Sequence, residues 1–333
     1  MPKRLELLTQ WLNEVVDDGG VQVTPASEDA SFRRYFRVTT ESHPDQTLIA
    51  MDAPPDKEDT GPFITISSML VDAGIHAPEV LKVNKDLGFL LLSDLGSQPY
   101  LAALNDESVD SLYGDALDAL LLMQRDVSHD ANSIPPYDQA LLMREMELFR
   151  EWYLRRHRNL MLTASQQEML DTVYQLLAES ALEQPRVFVH RDYHSRNLMV
   201  TSENNPGVLD FQDAVIGPVT YDLVSLLRDC YIQWPRDRVE HWALDYMHKA
   251  AREGVFELTE GMTDEVLLRW FDWMGVQRHL KASGIFARLW LRDGKPGYLD
   301  DIPRTLGYVR DVSSRYEALS PLNEFLGSLD DSV

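Results

Sequence analysis

The stretch that decides the fold is VFVHRDYHSRNLMV at 187–200, followed by VLDFQD at 208–213. Short apolar runs with strand propensity flank a polar loop, and an Asn-Asn-Pro-Gly turn precedes the last run. Asp192 precedes Asn197 by five residues, and Asn197 precedes Asp210 by thirteen. This spacing matches the pattern H-x-D-x-x-x-x-N followed by D-F-x, which is typical of enzymes that transfer a phosphoryl group.

The side chains of this pattern supply the parts that phosphoryl transfer needs. A carboxylate must orient and deprotonate the attacking hydroxyl, and hard oxygen ligands must hold magnesium on the phosphates. We therefore predict His190, Asp192, Asn197 and Asp210 as catalytic residues, with Asn197 and Asp210 as the metal ligands. One alternative makes the same residues ordinary loop and turn formers. Another makes His190, Asp192 and His194 ligands of a hydrolytic zinc, although Asn197 has no role there.

The apolar periodicity on either side predicts a small strand-rich part and a larger helical part. The segment LELLTQWLNEVV at 5–16 is an amphipathic helix, and three strands, a helix and two strands follow it. The predicted spans are 21–23, 32–40, 47–52, 62–73 for the helix, 80–84 and 88–92. Beyond 96, helices are predicted at 107–126, 138–157, 164–181, 218–231, 237–253, 263–282 and 300–316, with a frayed tail after Pro321. The prediction is an α+β, bilobal fold with a small antiparallel β lobe for nucleotide binding at 1–95. A helical lobe at 96–333 carries the catalytic loop and the acceptor site.

Length and composition restrict the class of protein. A chain of 333 residues with 44% hydrophobic content is longer than single cores usually grow. No apolar run approaches the roughly 20 residues that cross a bilayer, and the first residues lack the apolar core of a signal peptide, so we expect a cytoplasmic protein. Cys230 is the only cysteine, which excludes an intramolecular disulfide and a cysteine-rich zinc site. The net charge of −23 disfavours nucleic acid and anionic membranes as partners. We expect a monomer that acts on a small molecule.

Two further segments extend the motif and carry a resemblance. DFQDA at 210–214 and GPVTYDL at 217–223, together with the catalytic loop, resemble the aminoglycoside phosphotransferase-like kinases, which are relatives of choline kinase and of protein kinases. The resemblance spans nearly the whole chain and implies a protein-kinase-like fold with ATP and Mg²⁺ as cofactors. It also implies that Asp222 braces the catalytic loop, which is compatible with a helix-start aspartate favoured by the dipole.

The nucleotide side agrees with the resemblance only in part. GFLLLSDLG at 88–96 resembles the hinge that reads the adenine, so we expect Leu92, Asp94 and Leu95 at the nucleotide. A glycine-rich loop and a lysine on the third strand are not plainly present. The loop position holds SEDASFRRYFR at 27–37, and Met51 lies near the lysine position. We predict that Ser31 and Arg33 or Arg34 contact the nucleotide, with Lys57 as second choice for the missing cation. The gap leaves open a non-catalytic nucleotide-binding module.

The acceptor side is basic although the protein is acidic. FDWMGVQRHLKASGIFARL at 271–289 gathers cations, and an arginine in a pocket favours a carboxylate over an ammonium group. This segment, with LRDCYIQWP at 227–235 and MDAPP at 51–55, resembles the bacterial anomeric amino-sugar kinases of peptidoglycan recycling. The resemblance implies phosphorylation of the C1 hydroxyl of N-acetylmuramate and N-acetylglucosamine. An aminoglycoside or another small-molecule acceptor stays an alternative.

The same resemblance gives a set of predicted acceptor contacts. The predicted substrate-binding residues are Asp192, His194, Arg228, Trp273, Gln277 and Arg278. Trp273 could instead belong to the core, and Arg278 could pair with a neighbouring carboxylate.

Overall fold

The computed structural model describes residues 2–16, 20–28, 32–42, 46–127 and 134–330. The chain forms two compact units, the first made of 1–116 with 197–213 and the second of 117–196 with 214–333. The strands are β1 (Val21–Glu28), β2 (Arg34–Thr40), β3 (Leu48–Asp52), β4 (Val80–Asn84), β5 (Phe89–Ser93), β6 (Arg186–Val189), β7 (Leu198–Met199), β8 (Gly207–Val208) and β9 (Val215–Pro218). The α-helices are α1 (Pro2–Val15), α2 (Gly61–Asp72), α3 (Tyr100–Ala103), α4 (Val109–Asp126), α5 (Gln139–Leu148), α6 (Ala164–Leu182), α7 (Tyr221–Leu227), α8 (Arg236–Arg252), α9 (Asp264–Asp293), α10 (Ile302–Ser313) and α11 (Ser320–Asp330). A π-helix spans Phe149–His157, and 3₁₀ helices span Pro296–Asp301 and Glu317–Leu319. Within the described ranges, no helix combines the length and the apolar character that crossing a membrane requires.

The first unit is built on a five-stranded sheet in the order β1-β2-β3-β5-β4, and every neighbouring pair is antiparallel. Phe36 pairs with Ala50 and Ala50 with Leu91, so these residues share a face of the sheet. The amphipathic helix α1 covers that face with its apolar stripe. The buried cluster consists of Leu8, Trp11, Leu12, Phe36, Val38, Ala50, Phe89 and Leu91.

A buried carboxylate fastens α1 to the sheet. Asp52, at the end of β3, is fully buried and pairs with Arg4 of α1 and with Arg34 of β2. Arg4 also donates from Nη2 to the carbonyl oxygen of Leu87 at 2.8 Å. Because an unpaired buried charge is strongly unfavourable, these partners are a condition for placing Asp52 there.

The second unit is organised around α9, a helix of 30 residues that packs against α5, α6, α7, α8, α10 and the π-helix. Its buried residues lie on all sides, as expected for a helix inside a core. At Gly284 the neighbouring chain approaches very closely, and an added Cβ would lie 2.6 Å from the backbone nitrogen of Phe149. Glycine is therefore needed at this crossing.

Two short pairs of antiparallel strands flank the catalytic loop, defined here as residues 190–197. In the second unit β6 pairs antiparallel with β9, and in the first unit β7 pairs antiparallel with β8. The loop thus leaves β6 and enters β7, which is the strand-loop-strand setting that the motif predicted.

The structure confirms the α+β class, the order of strands and helix in the first part, and the helical character of the second. Several predicted bounds were wrong, including the strand predicted at 21–23, which extends to Glu28, and the helix predicted at 138–157, whose second part is the π-helix. The predicted helix at 218–231 is only α7, because residues 215–218 form β9 and pair with β6. The predicted helix at 263–282 continues to Asp293 and ends at Gly294 with φ of 66°. The tail is not frayed up to 330, because α11 buries apolar residues at helical spacing. The functional division at 95/96 stays a prediction.

We expect Gly284→Ala to lower the free energy of unfolding by about 1–3 kcal/mol, since the new methyl group overpacks the crossing with Leu148 and Phe149. Gly275→Ala, in the same helix, is the matched control. Its added Cβ would meet Arg228 Nη1 and Val224 Cγ1 at an ordinary 3.6 Å. That variant should be neutral or more stable by up to about 1 kcal/mol, because alanine favours helix. Denaturant unfolding measures both, and equal effects would contradict the close crossing.

Candidate active site

The start of the catalytic loop is held by a buried carboxylate of α7. The backbone N–H groups of His190 and Arg191 donate to the two oxygens of Asp222 at 2.6 and 2.9 Å. Arg191 has φ of 76°, a conformation that non-glycine residues rarely adopt without such support. Burial raises the pKa of Asp222 to about 7, although both hydrogen bonds favour its ionised form. The predicted bracing role of Asp222 is confirmed.

A second carboxylate, which the sequence analysis missed, holds the other part of the loop. Asp229 is 1% exposed and accepts from the backbone N–H of Ser195 and of Tyr231, both at 2.9 Å. The Ser195 hydroxyl donates to the same carboxylate. The sequence contained one indication of this role: Asp229 follows Asp222 by seven residues, after a largely apolar run.

Asp192 lies between these two supports and is ionised. Burial by itself would raise the pKa of Asp192, but the neighbouring positive charges, Lys281 before the others, lower it below the ordinary value of 3.8. His194 contributes little charge near neutral pH, because burial lowers the pKa of its own ring. The cations that act on Asp192 are therefore Lys281, Arg191 and Arg278. An ionised Asp192 can accept a hydrogen bond, and then a proton, from a hydroxyl group.

Two of these three cations share one buried carboxylate as an ion-pair partner. Glu145, on α5, pairs with Arg191 and lies 3.1 Å from Lys281 Nζ. Lys281 also donates to the Tyr221 hydroxyl at 2.8 Å. Burial raises the pKa of Glu145, but Lys281 and Arg191 outweigh it and lower that pKa overall. No short motif in the sequence marked Glu145 or Lys281, because the contact joins residues 136 positions apart.

A cavity of about 150 Å³ opens beside Asp192 within the second unit. Its polar side contains Asp192, His194, Arg278 and Lys281. Its apolar side contains Tyr231, Phe286 and Tyr298, and the rings of Phe286 and Tyr298 stack with centroids 5.6 Å apart. A carboxylate beside aromatic rings and cations suits a small polar molecule with ring faces, such as a sugar.

The structure brings only some of the predicted acceptor residues together. Asp192, His194 and Arg278 line the cavity. Arg228 and Gln277 are not among its lining residues: Arg228 Nη2 donates to Asp272 at 2.6 Å, and Gln277 Nε2 donates to the Tyr137 hydroxyl at 3.2 Å. Trp273, also buried and not in the lining, packs edge-on against Tyr316 with centroids 5.9 Å apart. Substrate contact by Arg228, Gln277 and Trp273 stays a prediction.

The predicted metal ligands lie next to each other in the first unit. Asn197 Nδ2 lies 3.3 Å from Asp210 Oδ2, and Gln212 Nε2 donates to Asp210 Oδ1 at 2.8 Å. Asp210 has φ of 65°, so its side chain leaves the chain from a sharp local turn. An amide oxygen and a carboxylate suit Mg²⁺, which takes its remaining ligands from water and from phosphates.

The zinc alternative finds no support in the structure. Among the described residues, no group of three or more His, Cys, Asp or Glu side chains could hold a metal ion.

Of the predicted replacements for the lysine, Arg33 lies at the metal-ligand pair. Its Nη2 is 3.8 Å from Asp210 Oδ1 and its Nε is 4.0 Å from Glu58 Oε2. Glu58 also accepts from the backbone N–H of Phe32 at 3.0 Å, which ties the strand entrance to the same carboxylate. Arg34 instead pairs with the buried Asp52. Lys57 Nζ lies 5.6 Å from the ring centroid of Phe32. The predicted residue Ser31 lies outside the described residues.

The hinge prediction concerns residues at the end of β5. Leu92 and Leu95 are buried. The carboxylate of Asp94 accepts from Arg37 Nε at 2.6 Å and from the backbone N–H of Gly96 at 2.9 Å. Burial opposes ionisation of Asp94, yet these hydrogen bonds lower its pKa overall. Asp94 thus fixes the turn after β5, while contact of these residues with adenine stays a prediction.

Comparison with known proteins identifies the family to which the chain belongs. Residues 22–260 match the family described as "Phosphotransferase enzyme family", and the chain belongs to it. It is 48% identical over 336 residues to the N-acetylmuramate/N-acetylglucosamine kinase of Pseudomonas putida, covering 98% of this chain and 96% of that protein. It is 50% identical over 309 residues to the protein of the same name from Pseudomonas aeruginosa, covering 92% and 88%. The predicted family resemblance is confirmed.

Solved structures show the same fold at low sequence identity. A choline kinase from Cryptosporidium parvum is similar with a TM-score of 0.66 at 11% identity, over 97% of this chain and 99% of that one. An ADP-bound aminoglycoside phosphotransferase is similar with a TM-score of 0.56 at 16% identity, over 91% and 97%. The protein-kinase-like fold is therefore confirmed.

We expect Asp229→Asn to destabilise the protein by about 1–3 kcal/mol and to lower turnover, because an amide cannot accept from all the donors that meet this buried carboxylate. Asp237→Asn, at an exposed position of α8, is the control and should stay within about 0.5 kcal/mol of the parent. Thermal unfolding and initial rates measure the two effects. Unchanged stability of the Asp229 variant would contradict the bracing role.

Proposed function

We propose that this chain is an ATP-dependent sugar kinase that phosphorylates N-acetylmuramate and N-acetylglucosamine at the C1 hydroxyl, in the recycling of cell-wall amino sugars. The observation that carries the proposal is the near-full-length identity of 48–50% to two proteins named for kinase activity on these sugars. The ADP-bound neighbour of the same fold supports a nucleotide as the phosphoryl donor.

Asp192 acts as the general base. It is ionised, it lines the cavity, and its loop is fixed by Asp222 and Asp229. An anomeric hydroxyl is more acidic than an ordinary alcohol, so a carboxylate of low pKa suffices to accept its proton as the phosphoryl group transfers. The attacking and leaving oxygens lie in line in such transfers, which gives inversion at phosphorus. His190 contributes through its backbone N–H, which donates to Asp222 and shapes the loop.

Asn197 and Asp210 are the residues that would hold Mg²⁺, which when bound would neutralise the charge of the ATP phosphates. Arg33 supplies the further positive charge that a kinase lysine usually provides. Its guanidinium is 9% exposed and faces Asp210 from 3.8 Å, with Glu58 on its other side. We propose that Glu58 orients Arg33 toward the phosphates.

The alternative acceptors fit less well. The cavity contains Arg278 and Lys281 beside Asp192, and such cations disfavour a polycationic aminoglycoside or choline. A non-catalytic module would not need an ionised carboxylate on a doubly braced loop.

An acceptor panel tests the function. With ATP and Mg²⁺, we expect turnover of N-acetylmuramate and N-acetylglucosamine, no comparable turnover of kanamycin or choline, and phosphate on C1 by ³¹P NMR. Asp192→Asn should lower kcat by about 10²–10⁴ with nucleotide affinity unchanged, because only the proton acceptor is lost. Preference for kanamycin would overturn the acceptor class. Near-normal turnover by the Asp192 variant would remove it as the base.

Arg33 and Arg34 form a matched pair for testing the phosphate-binding cation. Arg33→Ala should raise the KM for ATP by about 10-fold or more, equivalent to the loss of one charged hydrogen bond, and Arg33→Lys should recover part of it. Arg34→Ala should instead lower the melting temperature, because it leaves buried Asp52 with Arg4 as its remaining paired arginine. If Arg34→Ala raised the KM for ATP and Arg33→Ala did not, the assignment would be reversed.

A further inference from the structure

Arg278 is a buried cation whose hydrogen-bonding groups are not satisfied. It lies on α9, is 5% exposed and lines the cavity beside Asp192. Its only hydrogen bond among the described residues runs from Nη1 to Cys230 Sγ at 3.6 Å, and its Nε has no partner. Among the described residues, no carboxylate oxygen lies within 4.0 Å of a guanidinium nitrogen of Arg278, the distance that defines an ion pair. Thiol sulfur is a weak acceptor, so this guanidinium keeps donors available.

A guanidinium without a counter-ion is costly to bury, and proteins normally pair or hydrogen-bond such a group. The other two cations near Asp192 follow that rule. Glu145 pairs with both Arg191 and Lys281, and Lys281 also bonds the Tyr221 hydroxyl. Of these three cations, Arg278 is the one without an ion pair among the described residues, and Asp229 and Asp192 act on it only as neighbouring charges. Its planar fork of donors matches a carboxylate, which can accept two parallel hydrogen bonds.

A second polar group faces the same space. His194 is 9% exposed and lines the cavity, and its Nδ1 is buried without a hydrogen-bond partner. Burial lowers the pKa of this ring, so it is neutral near pH 7 and offers hydrogen bonding without charge. The cavity therefore presents one guanidinium without an ion pair and one neutral ring nitrogen without a hydrogen-bond partner among the described residues.

The net charge of the chain affects which acceptors the cavity can bind. At −23, the protein as a whole repels an anionic acceptor. Binding such an acceptor then requires a local cation whose charge is not already cancelled by a protein carboxylate. Arg278 meets that requirement better than Arg191 and Lys281, which already share Glu145 as an ion-pair partner.

We propose that Arg278 binds the carboxylate of an acidic acceptor, the lactyl carboxylate of N-acetylmuramate, and thereby sets the preference between the two sugars. The inference rests on the proposed function and deepens it. N-acetylglucosamine lacks the lactyl group and forms no ion pair with Arg278. The two acceptors therefore differ in their dependence on this one side chain, while both present the same C1 hydroxyl to Asp192.

The test combines a substitution with a change in the acceptor. Arg278→Gln should raise the KM for N-acetylmuramate by about 10- to 100-fold, as loss of a charge-assisted hydrogen bond implies, and change the KM for N-acetylglucosamine less than about threefold. Arg278→Lys should restore part of the affinity for the acid. Arg292→Gln, at an exposed position of the same helix paired with Asp293, is the control and should leave both values unchanged.

The amide of N-acetylmuramate completes a cycle of two proteins and two ligands. The comparison of acid and amide on wild-type protein does not depend on a variant folding. Wild-type protein should bind the amide about 10- to 100-fold more weakly than the acid, and Arg278→Gln should no longer distinguish them. Equal losses for both sugars, or equal affinity of wild-type protein for acid and amide, would overturn the inference.

Failure of the proposed function gives a different result. If wild-type protein phosphorylated neither sugar, calorimetric titration with N-acetylmuramate and its amide would still decide the carboxylate site. Tighter binding of the acid by wild-type protein, lost in Arg278→Gln, would support it, and absence of binding would overturn it.

Discussion

Asp222 and Asp229 accept hydrogen bonds from backbone N–H groups on both sides of Asp192, and the conformation of the catalytic loop depends on that support. The loop has no regular secondary structure of its own, and Arg191 adopts a left-handed conformation within it. A buried loop of this kind is stable only if its polar backbone groups find partners. Helix α7 supplies them from its first turn and from just beyond its end. The position of Asp192, the proposed general base, is thus set by two other carboxylates.

The charges around Asp192 follow from the same requirement to satisfy buried groups. Glu145 pairs with both Arg191 and Lys281, and the positive charge that this group keeps lowers the pKa of Asp192. Within the described part of the chain, Arg278 forms no ion pair, and its one hydrogen bond goes to the Cys230 sulfur. A protein with an excess of acidic residues can in this way keep a locally positive cavity. The overall charge therefore says little about the acceptor, and the pairing inside the unit says more.

In the first unit, two adjacent arginines, Arg33 and Arg34, have different partners. Met51 is buried where a kinase usually has its lysine, so that strand offers no cation at this point. The adjacent arginines divide the work: Arg34 serves the buried Asp52 of the sheet, and Arg33 faces Asp210 and Glu58. Neighbouring residues of a chain that enters a strand point in opposite directions, which is why Arg34 reaches Asp52 while Arg33 faces Asp210.

The sequence by itself determined the class of protein, the spacing of Asp192, Asn197 and Asp210, and the order of strands and helices around them. These features are local: they depend on residue type, on periodicity, and on intervals of a few residues. The sequence also limited the candidates for the phosphate-binding cation to Arg33, Arg34 and Lys57. It could not distinguish among these candidates, because their positions depend on Asp52 and Asp210 elsewhere in the unit. Strand β9 and helix α11 were missed since they form by pairing and packing with distant elements rather than by propensity. Only the tertiary structure decided that Asp229 and Glu145 serve the site and that Arg278 is left unpaired, because a buried charge is neutralised by whatever the fold brings near it, at any distance along the chain.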